Sequence, residues 1–245
     1  MSISFLFSHL CIAAGPENDY TVKKGVVLLT KPFLILSLLY LAASIAEIYV
    51  VDQEKRKPEL FIKPVLMLIL IAACLTQGIG IAPLFLLLAL FCCFLGDTFL
   101  LFEKWFLPGL LAFLAGHICY IILFCSQIHH VQLSGVLLLA GLYLILFGLV
   151  YRRLRQGLKM RTDQISVTCY MVLILSMSLL AGLRAFSLAY QPAALLVWAG
   201  TICFILSDTA LAFQRFSGFS HKRLPAFIMT TYLLAQYMIL YGILF

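Results

Sequence analysis

From Phe33 onward the chain alternates long apolar runs with short polar breaks. The runs are Phe33–Val51, Phe61–Gln77, Ile81–Leu101, Phe106–Ile128, Gln132–Tyr151, Ile165–Leu183, Ala193–Phe213 and Leu224–Leu244. About 20 mostly apolar residues suffice to cross a bilayer as a helix. The runs are continuous instead of alternating every second residue, which predicts helices and excludes a barrel. The expected fold is an all-α membrane protein with about eight transmembrane helices. It forms one polytopic domain, residues 33–245, behind a short N-terminal segment, residues 1–32. In that segment Met1–Ala14 is apolar but too short to span, and it lacks a basic start, so it does not read as a signal peptide.

Composition agrees and adds an orientation. Hydrophobic residues make up 64% of the chain and charged residues 11%, against roughly half and a quarter in soluble domains. The net charge of +7 has its source in the loops, so no nucleic-acid partner is expected. Lys55, Arg56 and Lys57 follow the first run and Lys104 the third. Arg152, Arg153, Arg155, Lys159 and Arg161 follow the fifth, and Arg215, Lys222 and Arg223 lie at or after the end of the seventh. The opposite loops carry no Lys or Arg beyond Arg184 at the edge of the sixth run and Lys23, Lys24 and Lys31 near the N-terminus. Positive loops stay inside, which places the odd-to-even loops in the cytoplasm and both termini outside or in a lumen. All cysteines but Cys11 fall within the runs, where they act as small buried hydrophobes. Their spacing suggests neither a disulfide frame nor a metal site, and Gly78 and Gly80 make no nucleotide loop.

Two apolar runs carry an acid in similar surroundings. "LGDTFLLFEKW" holds Asp97 and "LSDTALAFQRF" holds Asp208, 111 residues apart. Aligned on the acids, Leu95 matches Leu206, Thr98 matches Thr209, Lys104 corresponds to Arg215, and Cys92 and Cys203 fall five residues before each. The copies lie four runs apart, so both helices point the same way, as in a parallel four-plus-four repeat. Counted inwards from the cytoplasmic end, Asp97 is the fifth residue of its run and Asp208 about the sixth. That depth is roughly 8–9 Å, and on helices able to pack together the two could face each other. An ionisable side chain inside a membrane is costly and marks function by default.

Other polar residues in the runs are candidates for the same site. Lys63, before Pro64 in "FIKPVLM", reads either as a snorkelling lysine ahead of an N-terminal helix proline or as a ligand for a lipid phosphate. His117 and Tyr120 are three apart on one helix face. Tyr232 and Gln236 share a face of the last run, with Thr231 beside it. Arg184 lies near the outer end of the sixth run, far in depth from the acids, and reads as an interfacial anchor. His129 and His130 form a lone pair in an outer loop and imply no metal.

Two carboxyls in one dry site do not ionise together. One keeps its proton as a general acid while the other serves as base or charge stabiliser. That division suits a reaction through an oxocarbenium ion, water attack on a peptide bond, or proton carriage without chemistry. Residue types alone leave all three open.

The stretches "IKPVLM", "LGDTFLLF", "GLLAFLAGHICYIILF", "GTICFILSDTALAFQRF" and "MTTYLLAQ" together resemble the YhhN-type lysoplasmalogenase family in order and spacing. Arg184 has no counterpart in that pattern, and Leu233 stands where many relatives have an aromatic residue. The resemblance implies an integral-membrane hydrolase that cleaves the vinyl ether bond of a lysophospholipid substrate without metal or organic cofactor. Products would be a fatty aldehyde and glycerophosphoethanolamine or glycerophosphocholine. On such a substrate the acid pair points to catalysis by Asp97 and Asp208, one as acid and the other as stabiliser, with Lys63, His117, Tyr120, Tyr232 and Gln236 around the substrate. An intramembrane aspartyl protease and a proton-coupled carrier are the rival readings. The protease pattern needs a glycine where Phe94 stands, and a carrier predicts broken helices that the sequence lacks. A bacterial cytoplasmic membrane and the endoplasmic reticulum suit the chain equally; its oligomeric state is not encoded in any of these features.

Overall fold

A computed structural model describes residues 30–53, 56–78, 81–131, 133–158 and 160–245. Eight helices cover them: α1 Lys31–Asp52, α2 Arg56–Leu75, α3 Ile81–Leu100, α4 Phe106–Ser126, α5 Leu133–Leu154, α6 Arg161–Ser187, α7 Pro192–Phe216 and α8 Leu224–Leu244. A 3₁₀ turn, Glu103–Trp105, joins α3 to α4. No strand occurs among the described residues. Each helix is long and apolar enough to cross a membrane, so the chain is an all-α, multi-pass integral membrane protein. Residues 1–29, with Met1–Ala14, Cys11, Lys23 and Lys24, lie outside the described residues, as do Lys55, Gly80 and Lys159.

Several helices outrun their apolar runs, because each added residue closes another backbone hydrogen bond once a helix exists. α2 starts at Arg56, not Phe61, and α7 continues to Phe216, not Phe213. Beyond α7, Gly218 takes φ +66°, a left-handed turn that suits glycine after a helix end. α3 instead stops at Leu100, where Phe102 turns extended (φ −119°, ψ 121°) ahead of the 3₁₀ turn. The longer α2 also relocates Pro64. It is not an N-terminal proline but an interior one, so the carbonyl of Leu60, one turn earlier, loses its usual amide partner.

The tightest pairs are α3 with α4 and α7 with α8, and glycines set how closely they approach. A Cβ on Gly96 of α3 would lie 2.6 Å from the Phe113 ring of α4, and one on Gly242 of α8 would lie 2.5 Å from the Ala193 carbonyl of α7. Small residues at such crossings let membrane helices approach closely. Each half packs its helices in sequence, and the halves meet through α4 on α6 and α2 on α8. Contacts of α1 and α3 with α8, and of α5 with α7, have no comparable counterpart in the other half, so the packing is not that of a strict parallel four-plus-four repeat. One expectation is corrected here: α3 and α7 do not pack as a pair, and α8 lies against both. The acids therefore reach each other across a space between helices.

Outward faces are apolar, as a lipid-facing surface requires. α1 exposes Ile35, Leu38 and Ile45, and α5 exposes Leu137, Leu138 and Leu144. Arg184 is not an interfacial anchor. It is 6% exposed, and its Nε donates to the Gln127 side chain at the end of α4; a hydrogen-bond partner inside the protein drew it away from lipid.

Candidate active site

At the end of the bundle where the basic loops emerge, side chains of α2 and α8 converge on Asp97 of α3. Its Oδ2 accepts a 2.6 Å hydrogen bond from Tyr232 of α8. Its Oδ1 lies 3.5 Å from the Nζ of Lys63 on α2. Behind Tyr232 the bonds continue in one direction. Tyr120 of α4 donates to the Gln236 Oε1 at 2.9 Å, and Gln236 Nε2 donates to the Tyr232 hydroxyl at 3.3 Å. Every O–H and N–H in this row points towards Asp97. Aligned donors polarise one another and strengthen the last bond to a charged acceptor. The carboxylate is 1% exposed, so these partners replace the water that would otherwise solvate it.

Asp208 of α7 has a poorer setting. Tyr170 of α6 donates to its Oδ2, and no cation is paired with it among the described residues. Both acids line one cavity of about 100 Å³, shared with Lys63, Tyr170, Tyr232 and Arg215 and otherwise walled by apolar side chains such as Leu110, Phe113 and Ile174. Measured from helix ends, their depths differ. Asp97 is three residues, roughly 5 Å, from the end of α3, whereas Asp208 is eight residues, roughly 12 Å, from the end of α7. The equal depth expected from the apolar runs assumed that helix and run end together.

The candidate residues divide into two groups. Lys63 and Tyr232 join the acids at the cavity wall, whereas Tyr120, Gln236 and His117 stand behind it. His117 Nδ1 bonds the Phe113 carbonyl at 2.7 Å. A carbonyl only accepts, so Nδ1 carries the proton and Nε2 is bare, buried without a hydrogen-bond partner. The imidazole edge instead packs on Tyr170 at 5.3 Å and Phe204 at 4.9 Å between ring centroids. Phe204 in turn stands at 5.5 Å against Tyr232. His117 thus wedges the two tyrosines that hold the two acids. Thr231 turns back to the Phe227 carbonyl of its own helix and takes no part.

Three polar residues of interest escaped the sequence reading. Tyr170 looked like one aromatic among many, and only its meeting with Asp208 gives it a role. Arg215 was counted as a loop charge. It lies one residue before the end of α7, exposed at the rim of the cavity, with its guanidinium 4.8 Å above the Phe106 ring. Glu47 sits inside α1, fully buried, with neither carboxylate oxygen hydrogen-bonded; an acid in the first apolar run was the available signal.

Fold and site together define a class: a helical membrane protein with eight spans among its described residues and two aspartates on separate helices opening into one apolar cavity. The sequence model of the YhhN family matches residues 59–243, and the chain belongs to that family. The match runs from α2 into α8 and leaves α1 outside it. No solved structure matches the chain.

Proposed function

We propose that this protein hydrolyses the vinyl ether bond of lysoplasmalogens, with Asp208 as general acid and Asp97 as the anion of the resting state. The observation that carries the reading is the unequal support of two carboxyls on one cavity. Asp97 receives a cation and a polarised tyrosine, which is support for a charge. Asp208 receives one neutral donor, which leaves its other oxygen free to hold a proton. Family membership supports a reaction on this bond.

The reaction follows from that division. Asp208 transfers its proton to the outer vinyl carbon, and the π electrons close an oxocarbenium ion on the carbon bonded to oxygen. Asp97 stabilises the cation across the cavity. Water adds to that carbon and gives a proton to Asp97, leaving a hemiacetal. The hemiacetal hydroxyl then returns a proton to Asp208 while the glycerol oxygen leaves with the proton held by Asp97. Aldehyde and glycerophospho-alcohol depart, and both carboxyls regain their starting states.

Substrate placement divides the cations between two tasks. Lys63 is bound to Asp97 and maintains its charge. Arg215, at the rim, takes the phosphate of the headgroup, and the vinyl ether hangs below it between the acids. The basic loops then face the cytoplasm, and the substrate enters from that leaflet. Hydrolysis in deuterated water tests the chemistry. Protonation at carbon leaves a deuteron on the aldehyde carbon next to the carbonyl in the first turnover, whereas aldehyde free of deuterium there would refute the acid step.

A further inference from the structure

Pursuing that lysolipid reading, we propose that the seam between α5 and α7 is the binding groove for the substrate's aliphatic tail, and that its closed inner end selects tail length. The site cavity, at about 100 Å³, accommodates the reacting bond but not a fatty chain; ligand sites measure roughly 300–1,000 Å³. A second cavity of about 440 Å³ adjoins it, and Val150 and Thr209 line both. Thr209 follows Asp208 in the chain, so a tail leaving the acid meets this opening first.

The groove is built from one face of each helix. α5 supplies Leu142, Leu146 and Val150, four residues apart each time, and α7 supplies Ile202 and Leu206 in the same register. It runs from Thr209 towards Trp198, eleven residues or roughly 16 Å along α7. Leu142, Ile202 and Leu206 are exposed on its open side, which lets a tail slide in from the bilayer while the headgroup stays at the interface. Its inner end is closed by hydrogen bonds. Trp198 Nε1 donates to the Tyr143 hydroxyl at 3.2 Å, which also bonds Ser178 at 2.6 Å, and Ser178 reaches Thr201 at 2.8 Å. This brace joins α5, α6 and α7, so the stop is rigid and polar where the tail would end.

The test uses Ile202→Trp and Leu142→Trp, which fill the groove beyond the reach of a short tail and touch nothing at the acids. Parent and variants are purified in detergent, checked for intact thermal unfolding, and assayed on hexenyl and tetradecenyl lysophosphatidylethanolamine. Both variants are expected to lower kcat/KM for the tetradecenyl lipid at least about tenfold and to leave the hexenyl lipid unchanged. A second arm irradiates the proteins with a saturated alkyl lysophosphatidylethanolamine bearing a diazirine near its tail end. Labels on α5 and α7, lost in the variants, support the groove even where the parent releases no aldehyde, an outcome that would sink the reaction alone. Equal loss on both lipids, or labels spread over other helices, would overturn the groove while leaving the reaction standing.

Discussion

Replacing Tyr232 by Phe removes one hydroxyl and leaves the ring between Phe113 and Phe204 in place. The lost bond is short, 2.6 Å, and ends on a buried carboxylate. Hydrogen bonds to charged groups contribute about 1.5–3 kcal/mol, and about 1.4 kcal/mol is tenfold in rate. If Asp97 must face the oxocarbenium as an anion, Tyr232→Phe lowers kcat about 10- to 150-fold and changes KM little. Tyr120→Phe breaks only the neutral 2.9 Å bond to Gln236, two links away, and is expected to cost less than about tenfold. The assay is aldehyde release by purified protein in detergent over a range of substrate concentrations. A graded loss, with Tyr232 well above Tyr120, is the signature of a polarised row ending on Asp97. Equal losses, or no loss at Tyr232, would refute the row and with it the assignment of Asp97 as the anion.

Three further outcomes follow from other parts of the molecule. Arg215→Gln should raise KM about two- to fivefold with kcat preserved, because an exposed cation contributes at most about 1 kcal/mol to a phosphate contact, and added salt should erode the difference; a fall in kcat alone would contradict the division between Arg215 and Lys63. Gly96→Ala drives a methyl into Phe113, whose ring leans on Tyr232. Overpacking of this kind costs about 1–3 kcal/mol, so both melting temperature and activity should drop, and an unchanged melt would show that the α3–α4 crossing has room. Glu47→Met replaces an unbonded buried carboxyl by an apolar side chain of similar length. It should raise the unfolding temperature, the buried unsatisfied group being worth about 1–3 kcal/mol, and a lowered one would mean that Glu47 has a partner in the membrane.

How much of this could be read from residue order differs by scale. Spans were plain, because a run of apolar residues long enough to cross lipid has few alternative fates. Asp97 and Asp208 stood out for the same reason: a carboxyl is conspicuous in hydrocarbon. Helix ends were less legible, since α2 and α7 extend through polar interfacial residues that hydropathy assigns to loops. That error set Pro64 at a helix start and gave the two acids equal depths. Tyr170 was hidden for a different reason. Tyrosine is ordinary in a span, and its meaning arises only where α6 meets α7. Arg184 was misjudged on the same ground, because its Gln127 partner comes from a distant stretch of chain. The row from Tyr120 through Gln236 to Tyr232 was half visible, as two helical pairs whose junction only packing supplies.

The most direct test of the central claim is aldehyde release from alkenyl lysophosphatidylethanolamine by the purified protein, beside Asp97→Asn and Asp208→Asn. Positioned acid–base groups contribute about 10²- to 10⁴-fold, so release by the parent should fall at least about a hundredfold in each variant while both keep the parent's thermal unfolding profile. Release that survives both substitutions, or a well-folded parent that releases none, would contradict the paired-aspartate hydrolase.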